Sequence, residues 1–182
     1  MKYYHGSRTK NLKMLTLDKS NDGYVWLAEQ YEFAVLYGAS PVRFWGFNKQ
    51  TNKLVIREIC ESCFEKMYKN KKFYIYSATE VGEFEQSDHL GRKSIRCKHD
   101  VKLNLEETVE DAYKKIMELY TTGKIELRFW GNYTLEEKEK EKNRIIKTFS
   151  PVMQEEHDKF PEEYKLLTEM VPELKLENLT KN

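Results

Sequence analysis

The sequence predicts an α+β fold, on three observations. Short runs rich in aromatic and β-branched residues, at 24–28, 54–59, 73–77 and 124–130, alternate with segments whose apolar residues recur at helical spacing. Two of the helical segments open on capping-box letters, Asn104 with Glu107 and Thr134 with Glu137. Past residue 133 the character changes from mixed β to charged helix. At 182 residues the chain is long enough for one full domain and short for two. The organisation predicted is an α+β core over 1–133, with a C-terminal helical extension over 134–182 packed on the same domain.

Taken in order, 2–5 reads as a strand, the Asn21-Asp22-Gly23 turn leads into a strand over 24–28, and 30–37 forms a helix that Gly38 is placed to stop. The runs 42–47 and 54–59 flank a polar stretch and read as a β-hairpin. A helix from 61 or 62 to 69 and a strand over 73–77 follow. The polar stretch 80–93 reads as an exposed loop or ragged strands, and 94–103 returns to the sheet. Asn104 is expected to cap a helix to about 121 whose face carries Leu105, Val109, Ala112, Ile116 and Leu119, with Gly123 as the stop. A last strand over 124–130 precedes the helix that begins at Thr134 and ends at Pro151. Arg43-Phe44-Trp45-Gly46 and Arg128-Phe129-Trp130-Gly131 repeat a phrase, but their flanks do not, so they read as two similar strand ends.

Bulk composition narrows the function classes. Hydrophobic residues at 40% and aromatics at 13% supply a core, and 31 basic against 30 acidic residues leave a net charge of +1, too little to draw the whole chain to nucleic acid or an anionic membrane. The opening residues lack the apolar run of about 7–15 that a secretory signal needs, and no stretch approaches the roughly 18 apolar residues of a membrane span. Three cysteines, an odd number, fit a reducing compartment. The expectation is a cytoplasmic protein with no membrane partner.

One constellation points to chemistry. Tyr4-His5-Gly6-Ser7 ends the first strand; Tyr24-Val25-Trp26-Leu27-Ala28 forms the next, and Ala34 and Tyr37-Gly38 lie on the helix after it. A glycine directly after a strand lets the backbone approach a ligand, and its amide and carbonyl can bind both edges of a carboxamide. His5 suits a ribose hydroxyl, and Trp26 or Tyr37 suits stacking on an aromatic ring. The bland alternative is a turn beside a packed aromatic strand.

The text YHGSRTKNL followed by YVWLAEQYEFAVLYG, roughly residues 4–38, resembles the ADP-ribosyltransferase superfamily, especially its branch related to poly-ADP-ribose polymerases. The resemblance implies a split, mixed or antiparallel β-sheet core with flanking helices. It also implies NAD as substrate, cleavage of the nicotinamide glycosidic bond, and transfer of ADP-ribose to a protein or nucleic-acid acceptor. It carries ribose binding to His5, carboxamide binding to Gly6, and further cofactor contacts to Ser7 and Tyr37. The first aromatic of the sandwich falls on Trp26 or, with a shifted register, on Tyr24. Catalysis would rest on His5 and on a late-strand glutamate, which stabilises an oxocarbenium-like transition state by the electrostatic logic of glycosidases. Glu126 is the first candidate, with Glu83 and Glu85 as alternatives. A member of the fold that has lost catalysis and acts as a binding or inhibitory module is the competing reading.

Two other groupings carry candidate chemistry. Cys60, Cys63, Cys97 and His99 make up the ligand set of a structural zinc site, but only the first pair has the usual spacing and no metal is expected. The CxxC also lacks the βαβ surroundings of a thioredoxin-like motif. A basic cluster, Lys66, Lys69, Lys71, Lys72, Arg92, Lys93, Arg96 and Lys98, interleaved with Tyr68, Phe73 and Tyr74, has the make-up of a nucleic-acid surface but equally that of a solvated helix end beside a buried strand.

Overall fold

The structure, a computed structural model, describes residues 1–20, 22–39, 45–87, 94–159 and 161–179. In chain order its elements are β1 (Tyr3–Ser7), β2 (Met14–Leu15), β3 (Val25–Ala28), α1 (Tyr31–Ala39), β4 (Trp45–Asn48), β5 (Lys53–Arg57), α2 (Cys63–Tyr68), β6 (Phe73–Ala78), β7 (Glu85–Ser87), β8 (Ser94–Cys97), β9 (Val101–Lys102), β10 (Asn104–Val109), α3 (Ala112–Thr121), β11 (Ile125–Arg128), α4 (Leu135–Phe149), α5 (Met153–Lys159), α6 (Pro161–Met170) and α7 (Leu176–Leu179). The fold is α+β. The chain divides into two compact units, Met1–Ile56 with Phe64–Leu127, and Arg57–Cys63 with Arg128–Asn182.

The first unit is built on a six-stranded sheet in the order β10-β6-β1-β3-β8-β7, every neighbouring pair antiparallel. Side chains alternate between the two faces of a strand, and one face gathers Tyr3, Val25, Leu27, Tyr74, Tyr76, Ile95 and Cys97 into a buried cluster. Tyr4, Gly6 and Ile75 face the other way, toward α1, which buries Phe33, Ala34, Val35 and Leu36. β6 is buried along its whole length, which is why Phe73-Tyr74-Ile75-Tyr76-Ser77-Ala78 carries no charge. Tyr76 also ties down the segment after β1: its hydroxyl donates to the Thr9 carbonyl at 2.7 Å and accepts from the Leu12 amide at 3.1 Å. Two smaller sheets, β11-β5-β4 and β2-β9, complete the strand inventory of the described residues.

The second unit is helical. α4 starts as the sequence predicts: the Glu137 amide donates to Thr134 Oγ1 at 3.2 Å, and the Thr134 amide donates back to Glu137 Oε2 at 2.9 Å. Ile59, Ile145, Phe149, Met153, Leu167, Val171 and Leu174 are among its buried apolar residues. The Glu58 carboxylate, itself buried, accepts the Trp130 amide at 2.9 Å.

Two local expectations are corrected. Asn104 does not start a helix; 104–109 is β10, paired with β6 through a bulge between Leu105 and Glu107, and α3 begins only at Ala112, where the Asp111 side chain accepts the Lys114 amide at 3.1 Å. β-branched Thr108 and Val109 and the open edge of β6 outweigh the capping letters, because hydrogen bonds to a sheet edge satisfy the same backbone groups that a cap would. Gly38 does not stop α1 but lies within it, since a Cβ there would fall 2.2 Å from the Phe73 ring. Of the strand predicted over 42–47, residues 42–44 lie outside the described residues, as does part of the Arg-Phe-Trp-Gly repeat; the stretch 80–93, predicted as an exposed loop or ragged strands, contains the short strand β7, and 88–93 lie outside the described residues.

Candidate functional site

β1 stays in register with β6 from Tyr3 to Ser7, but with β3 it pairs only at Tyr4 and Ala28, and beyond that point the two strands part. A cleft of about 500 Å³ opens there. β1 contributes Tyr4, His5 and Gly6, β3 contributes Trp26, Leu27 and Ala28, and α1 contributes Phe33, Ala34 and Tyr37. Ser94 of β8 and Asp22, from the turn before β3, complete the wall. The lining is mainly apolar and aromatic with a few polar groups, and the volume falls in the roughly 300–1,000 Å³ typical of small-molecule sites.

Gly6 is where strand and helix touch. A Cβ on it would lie 1.8 Å from the Ala34 carbonyl oxygen, a position no other residue can share. His5 points to the opposite face and lines both this cleft and a neighbouring one of about 330 Å³, together with Asp22 and Trp26. Burial pushes the His5 imidazole below its ordinary pKa, against the opposing pull of a hydrogen bond to the Trp26 backbone. The ring is therefore neutral at pH 7 and offers one donor and one acceptor. Tyr37 is 54% exposed and stands at the rim.

Asp22 is the one carboxylate among the described lining residues of the 500 Å³ cleft, and sequence reasoning read it only as a turn residue. Its Oδ2 accepts the Trp26 indole N–H at 2.8 Å, and its Oδ1 accepts Ser20 Oγ–H at 2.9 Å and the Tyr24 amide at 3.1 Å. The hydrogen bond from Trp26, then that from Ser20, holds the Asp22 carboxyl below its usual range. Asp22 thus fixes the indole and sets a full negative charge at the cleft mouth. The signal available in sequence was the i, i+4 spacing of Asp22 and Trp26, which is uninformative until the turn geometry is known.

Behind Tyr4 lies a polar network. Tyr31 meets the Tyr4 ring edge-on at 5.6 Å and donates its hydroxyl to Glu107, and Glu107 pairs with Lys115 at 3.0 Å. Burial and the hydrogen bond to Glu107 push the Tyr31 phenol up. For Lys115 burial works downward, but hydrogen bonds to Glu107, Tyr31 and Glu118 outweigh it and raise the ammonium.

The remaining candidates lie apart from the cleft lining. Ser7 Oγ accepts the Thr9 amide at 3.1 Å, closing the turn after β1. Tyr24 lines the smaller cleft, with the Arg96 guanidinium 4.4 Å and the Lys98 ammonium 5.4 Å from its ring centre. Glu126 sits on β11 in the three-stranded sheet, where its carboxylate accepts Thr51 Oγ1 at 2.6 Å and Asn48 Nδ2 at 3.1 Å. Glu85 pairs with Arg96 at 2.6 Å, and Glu83 is exposed in the segment before β7.

In the basic cluster, Lys69, Lys72 and Arg96 are each paired with a carboxylate, and Tyr68, Phe73 and Tyr74 are buried. Arg92 and Lys93 lie outside the described residues. His99 Nε2 contacts the Val81 carbonyl oxygen at 2.6 Å, and among the described residues no three His, Cys, Asp or Glu side chains gather as a metal site. No helix among the described residues is long and apolar enough to cross a membrane.

Fold and site together define an α+β protein with an aromatic-walled cleft at the parting of two antiparallel strands. Comparison with family models, curated proteins and solved structures finds no match.

Proposed function

We propose that this cleft binds the nicotinamide half of NAD and that the protein is an ADP-ribosyltransferase-like transferase. The observation that carries the reading is that His5, Gly6, Trp26 and Tyr37, contributed by three separate elements, line one cleft. In this reading Trp26 and Tyr37 stack on the nicotinamide ring, the Gly6 backbone receives the carboxamide, and neutral His5 hydrogen-bonds a ribose hydroxyl. As the nicotinamide glycosidic bond breaks, positive charge grows on the ribose, and the Asp22 carboxylate is the group lining the cleft that can stabilise it. Glu126, committed to Asn48 and Thr51 in another sheet, is not assigned that role. The acceptor of the ADP-ribose is a protein or a nucleic acid.

Nicotinamide release from NAD tests the assignment. Asp22→Asn is expected to lower the rate by about a hundredfold, and Glu126→Gln to leave it unchanged. The reverse pattern returns catalysis to Glu126. A second reading, a module that binds without turnover, is favoured by the three hydrogen bonds already held by Asp22. NAD binding with no nicotinamide release from the wild type would select it.

A further inference from the structure

Cys60 and Cys63 lie at the two ends of one tight turn. The Cys63 amide donates to the Cys60 carbonyl at 3.3 Å, which closes the four residues Cys60-Glu61-Ser62-Cys63, and Ser62 takes a φ of +58°, the sign a type II turn requires at its third residue. Such a turn brings its end Cα atoms within about 7 Å, the reach of a disulfide. Neither sulfur is bridged.

The two thiols differ in their surroundings. Cys63 is fully buried, and its sulfur accepts the Ile59 amide at 3.4 Å. Cys60 is partly exposed and its sulfur lies 3.8 Å from the Glu61 carbonyl oxygen. A hydrogen bond shared with Cys60, followed by burial, pushes the Cys63 thiol far up, so Cys63 keeps its proton and can donate it toward the Cys60 sulfur. An accessible sulfur backed by a protonated, buried neighbour is the arrangement in which the first attacks and the second resolves.

We propose that Cys60 and Cys63 form a thiol–disulfide exchange site that reacts with low-molecular-weight disulfides. The Cys60 thiolate attacks one sulfur of a disulfide R–S–S–R, the S–S bond breaks, and one R–S⁻ leaves and takes up a proton. Cys63 then loses its proton, and its thiolate attacks the Cys60 sulfur of the mixed disulfide. The Cys60–Cys63 bond forms as the bond from Cys60 to the R sulfur breaks, and the second R–S⁻ departs and takes up, through water, the proton that Cys63 gave up. The pair is oxidised by two electrons and the small disulfide is reduced to two thiols. The segment concerned, Arg57–Cys63, links β5 to α2 and is separate in sequence from every residue assigned to the cleft.

The full chain incubated with glutathione disulfide supplies the test, read by intact mass and by peptide mapping after alkylation. Wild-type protein is expected to lose two hydrogens, to carry the new bond between Cys60 and Cys63, and to return to three alkylatable thiols after reduction. Buried Cys97 is the internal control and is expected to stay reduced. Cys63→Ser should retain one glutathionyl group on Cys60, and Cys60→Ser should retain none. Wild-type protein that keeps both thiols, stops at the mixed disulfide, or bridges through Cys97 overturns the proposal, as does capture of glutathione by Cys60→Ser. The wild-type mapping alone decides between closure and no closure, so a variant that fails to fold does not blunt the test.

Discussion

Gly6 and Gly38 meet backbone to backbone: a Cβ added to Gly6 would lie 2.5 Å from the Gly38 amide nitrogen. β1 and α1 thus meet with no side chain between them, while the Phe73 ring of β6 packs against Gly38. This contact sets the floor of the cleft and brings Ala34 and Tyr37 over the end of β1.

Gly6→Ala should therefore destabilise the protein by about 3 kcal/mol, at the upper end for an overpacked core, because the obstacle is backbone and cannot rotate away. Gly23→Ala is the comparison. Gly23 has a φ of +73° and open space around it, so its cost is backbone strain alone, about 1 kcal/mol. Urea denaturation of the two variants measures the difference, and equal losses would contradict the close contact.

How much of this was legible in the sequence depends on the range of the interaction. The Thr134–Glu137 box, β1, β3 and α1 are governed by neighbours within a few residues, and they are found near where the letters place them. Asn104 with Glu107 shows the limit, since the same letters serve a strand when an unpaired edge such as that of β6 is available. Gly38 looked like a helix stop because sequence does not reveal that Phe73 packs against it. Asp22 was hidden because its role depends on the indole of Trp26, and Glu126 was ambiguous because strand order along the chain does not say which sheet a strand joins.

Stability should fall on the alkaline side. The Tyr31 phenol is raised chiefly by burial and then by Glu107, and Tyr133 is pushed up to about 12, again chiefly by burial. Above about pH 10 an unfolded tyrosine loses its proton while these two keep theirs, so the folded state binds more protons and loses stability as pH rises through that window. Below the window these groups contribute no slope. Urea midpoints from about pH 8 to about pH 11 should decline, and Tyr31→Phe should decline less steeply. Identical slopes would argue against a raised Tyr31 phenol.

Thr134→Ala removes the acceptor for the Glu137 amide and leaves the reciprocal bond to the Thr134 amide in place. The expected loss is about 1 kcal/mol, with Thr134→Ser close to wild type. Thermal unfolding of the three proteins side by side decides it, and a Ser variant as weak as the Ala variant would rule out the hydroxyl as the cause.

Asp22→Asn should loosen the Trp26 ring, since an amide nitrogen placed at Oδ2 no longer accepts the indole N–H. A red shift and reduced anisotropy of tryptophan emission are expected, abolished in a Trp26→Phe background. Unchanged emission would mean that the indole is held by packing alone.

Calorimetric titration of NAD into wild-type protein, His5→Ala and Trp26→Ala bears most directly on the cleft. Saturable one-site binding to the wild type is expected, weakened about tenfold or more by loss of the Trp26 ring and also weakened by loss of the His5 imidazole. A folded wild-type protein that takes up no NAD, or His5→Ala and Trp26→Ala proteins that bind it as the wild type does, would contradict the assignment of the cleft.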